Sequence, residues 1–334
     1  MWLLLAALAA LLIGISTILS KLGVKDADPY VTGAVTNTVL LAAFAVTALF
    51  TGSFGQTGEM GLWTWVSVAA SGVILSVSWA FYFLGLAGGS VSVFLAIQSL
   101  TIVVSMALCA IFIKEKITLF MIIGTVMIVA GTLLMMNREE LAALKNKNIL
   151  KSDQRWILFS GLSAVFASVS YVIVKADRAP IDTNVTSTFR YIIVVLTLWA
   201  ILFARNKRRQ ADETIGTRKA SGEKPQRASA GERTEETAGS RNLSGKTEAV
   251  SWKDIAGKTW MFILLGAAAS GAGHVLVYKS LYLGKAAVIM TIYRMGMVIS
   301  IILSRVFLHE KLTKKGWIGF ALLAAGVVVF AVGR

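Results

Sequence analysis

The sequence predicts an all-α integral membrane protein, with ten transmembrane helices forming two inverted five-helix repeats. Three observations carry that prediction: the composition, a succession of apolar runs of spanning length, and a self-match at two fixed offsets. Of the 334 residues, 56% are hydrophobic and 15% charged, and the mean hydropathy is +0.71. Soluble domains run nearer 45–50% apolar and about 25% charged. The composition therefore excludes a soluble globular enzyme, a disordered chain and a disulfide-stapled secreted domain. The single cysteine, Cys109, can form no intramolecular disulfide and no cysteine-rich metal cluster, so no metal or cofactor is expected.

A helix needs roughly 20 apolar residues to cross a bilayer. On that scale the spans read, in order, 2–22, 31–51, 62–85, 90–113, 117–136, 156–175, 186–204, 259–283, 286–308 and 315–333. The first opens Met1-Trp2 with no basic n-region and is long, so it reads as a retained helix rather than a signal peptide. Trp2, Trp63, Trp65, Trp156, Trp260 and Trp317 fall near span ends, as an interfacial belt requires.

The net charge of +15 is concentrated, with 13 of the 33 Lys and Arg in Arg205–Lys258 and most others in short gaps between spans. That distribution fits basic loops beside anionic lipid headgroups and argues against nucleic acid as a partner. Residues 205–251 are mixed Ser, Gly, Thr, Glu, Lys and Arg with almost no large apolar side chain, and read as a flexible basic linker.

Self-comparison explains the count. Lys114-Glu115-Lys116-Ile117-Thr118 aligns with His309-Glu310-Lys311-Leu312-Thr313 at an offset of 195, bringing Gly89, Val93, Gly124 and Gly131 onto Gly284, Val288, Gly319 and Gly326. At an offset of 154, Trp2, Ser16, Lys21 and Thr32 meet Trp156, Ser170, Lys175 and Thr186. The expected organisation is a first repeat over 1–136, a basic inter-repeat loop over 137–155, and a second repeat over 156–333 interrupted by 205–251. Five spans per copy is odd, so the second copy enters from the opposite side. Such inverted repeats are associated with secondary transporters whose site lies between the halves near the midplane.

Two five-helix repeats, each closing with a Glu-Lys-x-Thr turn and a glycine-spaced last helix, resemble the EamA-like branch of the drug/metabolite transporter superfamily. Gly14-Ile15-Ser16-Thr17-Ile18-Leu19-Ser20-Lys21 is similar to that family's first helix, which ends in lysine. The resemblance implies movement of small metabolites or drugs across the cell membrane, often export. It also implies that helices 5 and 10 mainly hold the halves together. The family often carries a basic residue at the positions of Thr36 and Ser99, and this chain departs from that pattern.

The span centres contain no Asp or Glu but do contain His274 and Arg294, each ten residues from the turn near Gly284. Ten residues rise roughly 15 Å, about half the hydrocarbon thickness, so both lie near the midplane. Ionisable groups there cost about 2.5–3.5 kcal/mol each on insertion scales and usually face a cavity. Arg190 is shallower, and Lys21, Lys175 and Lys279 sit at span ends, where anchoring is expected. Gln98, Thr101 and Ser105 form one helical stripe, and Ser67, Ser71, Ser78 and Tyr82 another; such small polar residues also glue membrane helices together. Gly124/Gly131 and Gly319/Gly326 suit close helix packing. Glu115 and Glu310 read as interfacial pairs with their neighbouring lysines.

The substrate-binding candidates are Arg294, His274, Trp79, Gln98, Tyr293, Arg190 and Asn37, with His274 also the candidate for proton coupling. For Arg294 the alternative is a structural role bonding backbone carbonyls, and for His274 a hydrogen-bonded core histidine. A guanidinium pairs with carboxylate or phosphate. The expected function is thus secondary transport of an anionic or zwitterionic metabolite, such as an amino acid or organic acid, by alternating access, with export as the direction. Cationic drug efflux, a lipid-phosphate flippase and a non-transporting membrane scaffold or sensor are the alternatives. An enzyme is disfavoured because no central acid, nucleophile–base pair or metal set is present. A second copy of the chain is a candidate partner. Lys and Arg counts of ten against six place the linker side inside and both termini outside, whereas the resemblance implies both termini inside.

Overall fold

The computed structural model describes residues 2–114, 116–136, 138–145, 153–177, 181–221, 255–283, 286–310 and 312–332; within these, the side chains of 143–145, 209–221, 278, 281–283, 286–291, 294 and 331 lie outside the description. Helices follow one another in the order α1 (Trp2–Lys25), α2 (Pro29–Phe50), α3 (Leu62–Gly88), α4 (Val91–Leu108), α5 (Leu119–Met135), α6 (Arg138–Lys145), α7 (Arg155–Ala176), α8 (Thr183–Ser221), α9 (Gly257–Leu283), α10 (Ala286–Phe307) and α11 (Lys314–Val332). No strand occurs among the described residues. The protein is an all-α membrane protein. Seven of the described helices are long and apolar enough to span a bilayer, while α5 and Met295–Phe307 of α10 are shorter apolar helices. The expected ten crossings are therefore met by length and composition in seven.

Two segments differ from the sequence reading. α8 does not end at Arg205 but continues to Ser221. Its extension, Arg-Asn-Lys-Arg-Arg-Gln-Ala-Asp-Glu, is built of residues that mostly tolerate a helix, and no proline interrupts it. The rest of the expected linker, 222–251, lies outside the described residues. The inter-repeat loop contains α6, which opens with Glu139 and Glu140 in its first turn, where carboxylates favour the helix dipole.

The strongest helix pairings exchange onto themselves when the halves are swapped. α1 packs on α9 as α7 packs on α3, α1 on α10 as α7 on α4, and α2 on α9 as α8 on α3. α2 pairs with α8, and α5 with α11, across the exchange. Equivalent helices run antiparallel. Arg205 of α8 reaches Asp28 before α2 at 3.0 Å, whereas Ser53 after α2 reaches Asp182 before α8 at 2.6 Å. Likewise a Cβ on Gly124 would lie 2.7 Å from Gly326 O, and one on Gly131 2.6 Å from Gly319 O. Glycine at those crossings lets α5 and α11 approach backbone to backbone.

Local chemistry repeats too. Asp28 accepts from Tyr30 N at 2.8 Å and Asp182 from Asn184 N at 2.7 Å, starting α2 and α8. Thr118 and Thr313 accept from Met121 N and Gly316 N at the starts of α5 and α11. Lys114 and His309, 195 residues apart, are the non-glycine residues with positive φ among the described residues, at 57° and 54°. In both halves the fourth helix thus stops in a left-handed residue that redirects the Glu-Lys-x-Thr turn.

Candidate functional site

A cavity of about 290 Å³ lies between the halves, walled by α1, α3, α4, α7, α9 and α10. Each helix supplies residues on one face at helical spacing: Ile13, Ser16 and Thr17; Leu75, Ser78, Trp79 and Tyr82; Tyr293, Met297 and Ser300. Most wall hydroxyls have already committed their protons. Ser16 and Thr17 donate to Ile13 O at 3.1 Å each, Ser78 to Ser163 O at 2.9 Å, and Ser300 to Gly296 O at 2.9 Å. They offer lone pairs to the cavity rather than donors. Two donors remain. Trp79 Nε1 and Gln98 Nε2 are both buried and have no hydrogen-bond partner among the described residues. Trp79 is held by stacking on Phe83 at 5.8 Å and by the edge of Tyr82 at 5.1 Å.

His274 stands one helical turn after Ser270, and its Nδ1 lies 2.8 Å from Ser270 O. A carbonyl only accepts, so this bond assigns the proton to Nδ1. In the neutral ring Nε2 is then an acceptor, and it lies 3.4 Å from the Tyr293 hydroxyl, which donates. Phe44 and Tyr293 flank the ring edge-on at 6.4 and 6.1 Å.

The seven candidates separate into groups. His274, Trp79, Gln98 and Tyr293 line the cavity together. Asn37 and Arg190, on α2 and α8, are not among its lining residues. Asn37 is fully buried and donates to Gly33 O at 2.8 Å, and its Oδ1 has no partner among the described residues. Arg190 lies 5.8 Å from the Tyr191 ring, and its buried Nε has no partner among the described residues. Arg294 follows Tyr293 on α10, and its side chain lies outside the described residues. The wall also includes Ile13, Ser16, Thr17, Ser163, Ala167, Ser270, Met297 and Ser300, none of them named as a site candidate from the sequence. Their signal was the i, i+4, i+7 spacing around Tyr293 and the i, i+4 pair Ser270/His274. Of the two polar stripes, Gln98 and Thr101 reach the cavity, as do Ser78 and Tyr82. Ser67 instead donates to Asp177 at 2.9 Å, and Ser71 O accepts from Ser170, tying α3 to α7 and its following loop.

The two ends of the cavity differ. Towards the α3–α4 turn, every residue of α4 from Val91 to Ile97 is buried, and Ile18, Phe83, Leu86, Trp156 and Ile301 close around them. Beyond Ile102, α4 and the π-helical turn Cys109–Ile113 that extends it are half-buried or exposed, apart from Cys109. At the closed end Lys21 and Glu310 both bind the α3–α4 turn, while Lys311, the lysine expected beside Glu310, lies outside the described residues. Lys21 Nζ donates to Leu86 O at 2.6 Å, Ala87 O at 3.2 Å and Gly89 O at 2.6 Å, at the C-terminus of α3. Glu310 accepts from Val91 N at 2.6 Å and from Ser92 N and Oγ at 3.1 and 2.8 Å, at the N-terminus of α4. Each charge meets the helix end of opposite partial charge. The turn between those ends is Gly89-Ser90, and a Cβ on Gly88, the last residue of α3, would lie 2.6 Å from Trp156 Cβ.

Known proteins place this architecture. The EamA-like transporter family model matches residues 1–137 and 245–332. The "uncharacterized transporter in cobO 3' region" of a Sinorhizobium species is 25% identical over 180 residues, covering 54% of this chain and 99% of that protein. An uncharacterized protein of Methanocaldococcus jannaschii is 31% identical over 77 residues, covering 23% of this chain and 56% of its own length. A protein of known crystal structure shares the fold at a TM-score of 0.58 and 16% identity, covering 97% of this chain and 94% of that one. With the family match spanning most of the chain and the helices suited to a bilayer, the protein is a multi-pass membrane transporter belonging to the EamA-like transporter family.

Proposed function

We propose that the central cavity is the substrate site of a secondary transporter for a small anionic or zwitterionic metabolite, such as an amino acid or organic acid. The halves rock about the cavity in alternating access, and export is the direction. The observation that carries the reading is a pair of buried donors without a partner among the described residues, Trp79 Nε1 on α3 and Gln98 Nε2 on α4, both lining the cavity. Buried N–H groups without acceptors are costly, and carboxylate oxygens are acceptors that would satisfy them. The apolar and aromatic remainder of the wall suits a hydrocarbon body. Arg190 supplies positive charge on α8, and Arg294 follows the wall residue Tyr293 in the sequence; a guanidinium favours an anion.

His274 is the proton-coupling group in this reading. Protonation at Nε2 reverses its bond with Tyr293 and frees the tyrosine hydroxyl to donate to substrate. The test is thermal stabilisation of the detergent-purified protein by amino acids, organic acids, phosphates, nucleosides and quaternary ammonium dyes, since a ligand of the folded state raises stability by mass action. Stabilisation by carboxylates that is lost in Trp79→Phe and Gln98→Leu is the expected result. Stabilisation by quaternary ammonium dyes alone, surviving Arg294→Ala, replaces this reading with cationic drug efflux.

A further inference from the structure

We propose that Lys21 and Glu310 form a latch that holds the linker-side end of the pathway shut, and that they act as positioning residues for the cavity walls α3 and α4. The proposal rests on the reading of the cavity as a transport pathway. Six hydrogen bonds converge on one short turn: three from the Lys21 ammonium to the last carbonyls of α3 and the turn, and three into the Glu310 carboxylate from the first residues of α4. The two groups come from different halves, Lys21 from α1 and Glu310 from the α10–α11 connection. The α3–α4 turn is therefore fastened at once to the first helix of its own half and to the opposite half.

Glycines make the seat. Gly88 and Gly89 lie against the Trp156 ring, where neither has room for a Cβ, so the turn drops low enough for both charges to reach its backbone. Ser92 adds a second tie across the halves, its hydroxyl lying 3.1 Å from Ser304 Oγ. The left-handed residue His309 aims Glu310 at α4 instead of continuing α10. Directly below the latch, Phe83, Leu86, Phe94 and Trp156 seal the cavity. For this end to open, α3 and α4 must swing away from α1 and α10, and all six bonds must break together.

A thiol reporter reads the state directly. In a Cys109→Ala background, Ala167→Cys places a single thiol on the cavity wall contributed by α7. The protein is reconstituted in liposomes whose sidedness is set by an N-terminal epitope, and a membrane-impermeant maleimide is applied to each face. The parent is expected to label at least tenfold faster from the face opposite the linker. Lys21→Met and Glu310→Gln are each expected to raise linker-face labelling at least tenfold and to slow labelling from the other face, while Lys21→Arg retains the parent ratio. Ser92→Ala, which removes one of the three Glu310 bonds, is expected to raise linker-face labelling about threefold and serves if a charge variant does not fold. Monodisperse variants that keep the parent ratio overturn the latch and leave the transport reading standing. A reporter labelled from neither face in parent and variants alike overturns the pathway itself.

Discussion

Trp79 and Gln98 each keep a buried N–H without an acceptor among the described residues, at a cost of about 1–3 kcal/mol apiece. A fold retains such groups where a ligand satisfies them, so function and stability pull in opposite directions here. Gln98→Leu is expected to raise the melting temperature of the ligand-free protein while weakening substrate binding roughly 3–10-fold, the worth of one hydrogen bond. Differential scanning fluorimetry with and without ligand reads both effects; a variant that loses stability and keeps affinity refutes the assignment. His274 and Tyr293 carry a second expectation. Tyr293→Phe removes the hydroxyl that exchanges donor and acceptor roles with Nε2, so flux into proteoliposomes should lose its variation between about pH 5 and 8. His274→Gln should do the same, and persistence of the parent profile in both excludes proton coupling at this histidine.

Elements divide between wall and frame. α5 and α11 contribute nothing to the described cavity wall, and their glycines serve close approach alone. Gly131→Val puts a branched side chain where Gly319 O and Leu323 already stand, and overpacking of this kind costs about 1–3 kcal/mol. The melting temperature should fall, while the surviving folded fraction binds substrate with parent affinity; a large loss of affinity at unchanged stability contradicts a purely framing role. The Glu-Lys-x-Thr turn shows what sequence pattern can and cannot convey. Its duplication located the ends of the fourth and fifth helices, and Thr118 and Thr313 cap α5 and α11 as short hydroxyl residues before a helix should. The destination of Glu310 was invisible, because its partners lie 218 and 219 residues earlier in the chain. α8 is the opposite case. The polar composition after Arg205 concealed a helix, since composition reports the inability to form a core and a helix projecting from a span needs none.

For the whole molecule, the exchange of halves leaves the helix pairings unchanged but not the chemistry. Trp79 occupies the place of His274, Ser99 that of Arg294, and Thr36 that of Arg190. If the halves alternate as proposed, the two ends of the cycle are inequivalent, and it is the α3–α4 end that the buried cluster of Phe83, Leu86, Phe94 and Trp156 surrounds. Transport by the helical halves should not need the stretch between α8 and α9. Deleting 222–254 is expected to leave substrate flux within about twofold of the parent in a proteoliposome assay, whereas a scaffold or sensor acting through that segment loses its output.

The sequence by itself determined the membrane class and the duplication with its offsets, and it named four side chains that the structure brings together in the cavity. All of these follow from composition and periodicity, which are properties of the chain read locally or against itself. Only the tertiary structure decided which polar residues face the cavity and which bind helices together, because a serine on a lipid-embedded helix serves either purpose at the same spacing. It alone showed that Lys21 and Glu310 spend their charges on helix ends. It alone separated Asn37 and Arg190 from the cavity wall. Burial in a membrane protein depends on which neighbour covers a face, and that neighbour comes from the other half of the chain.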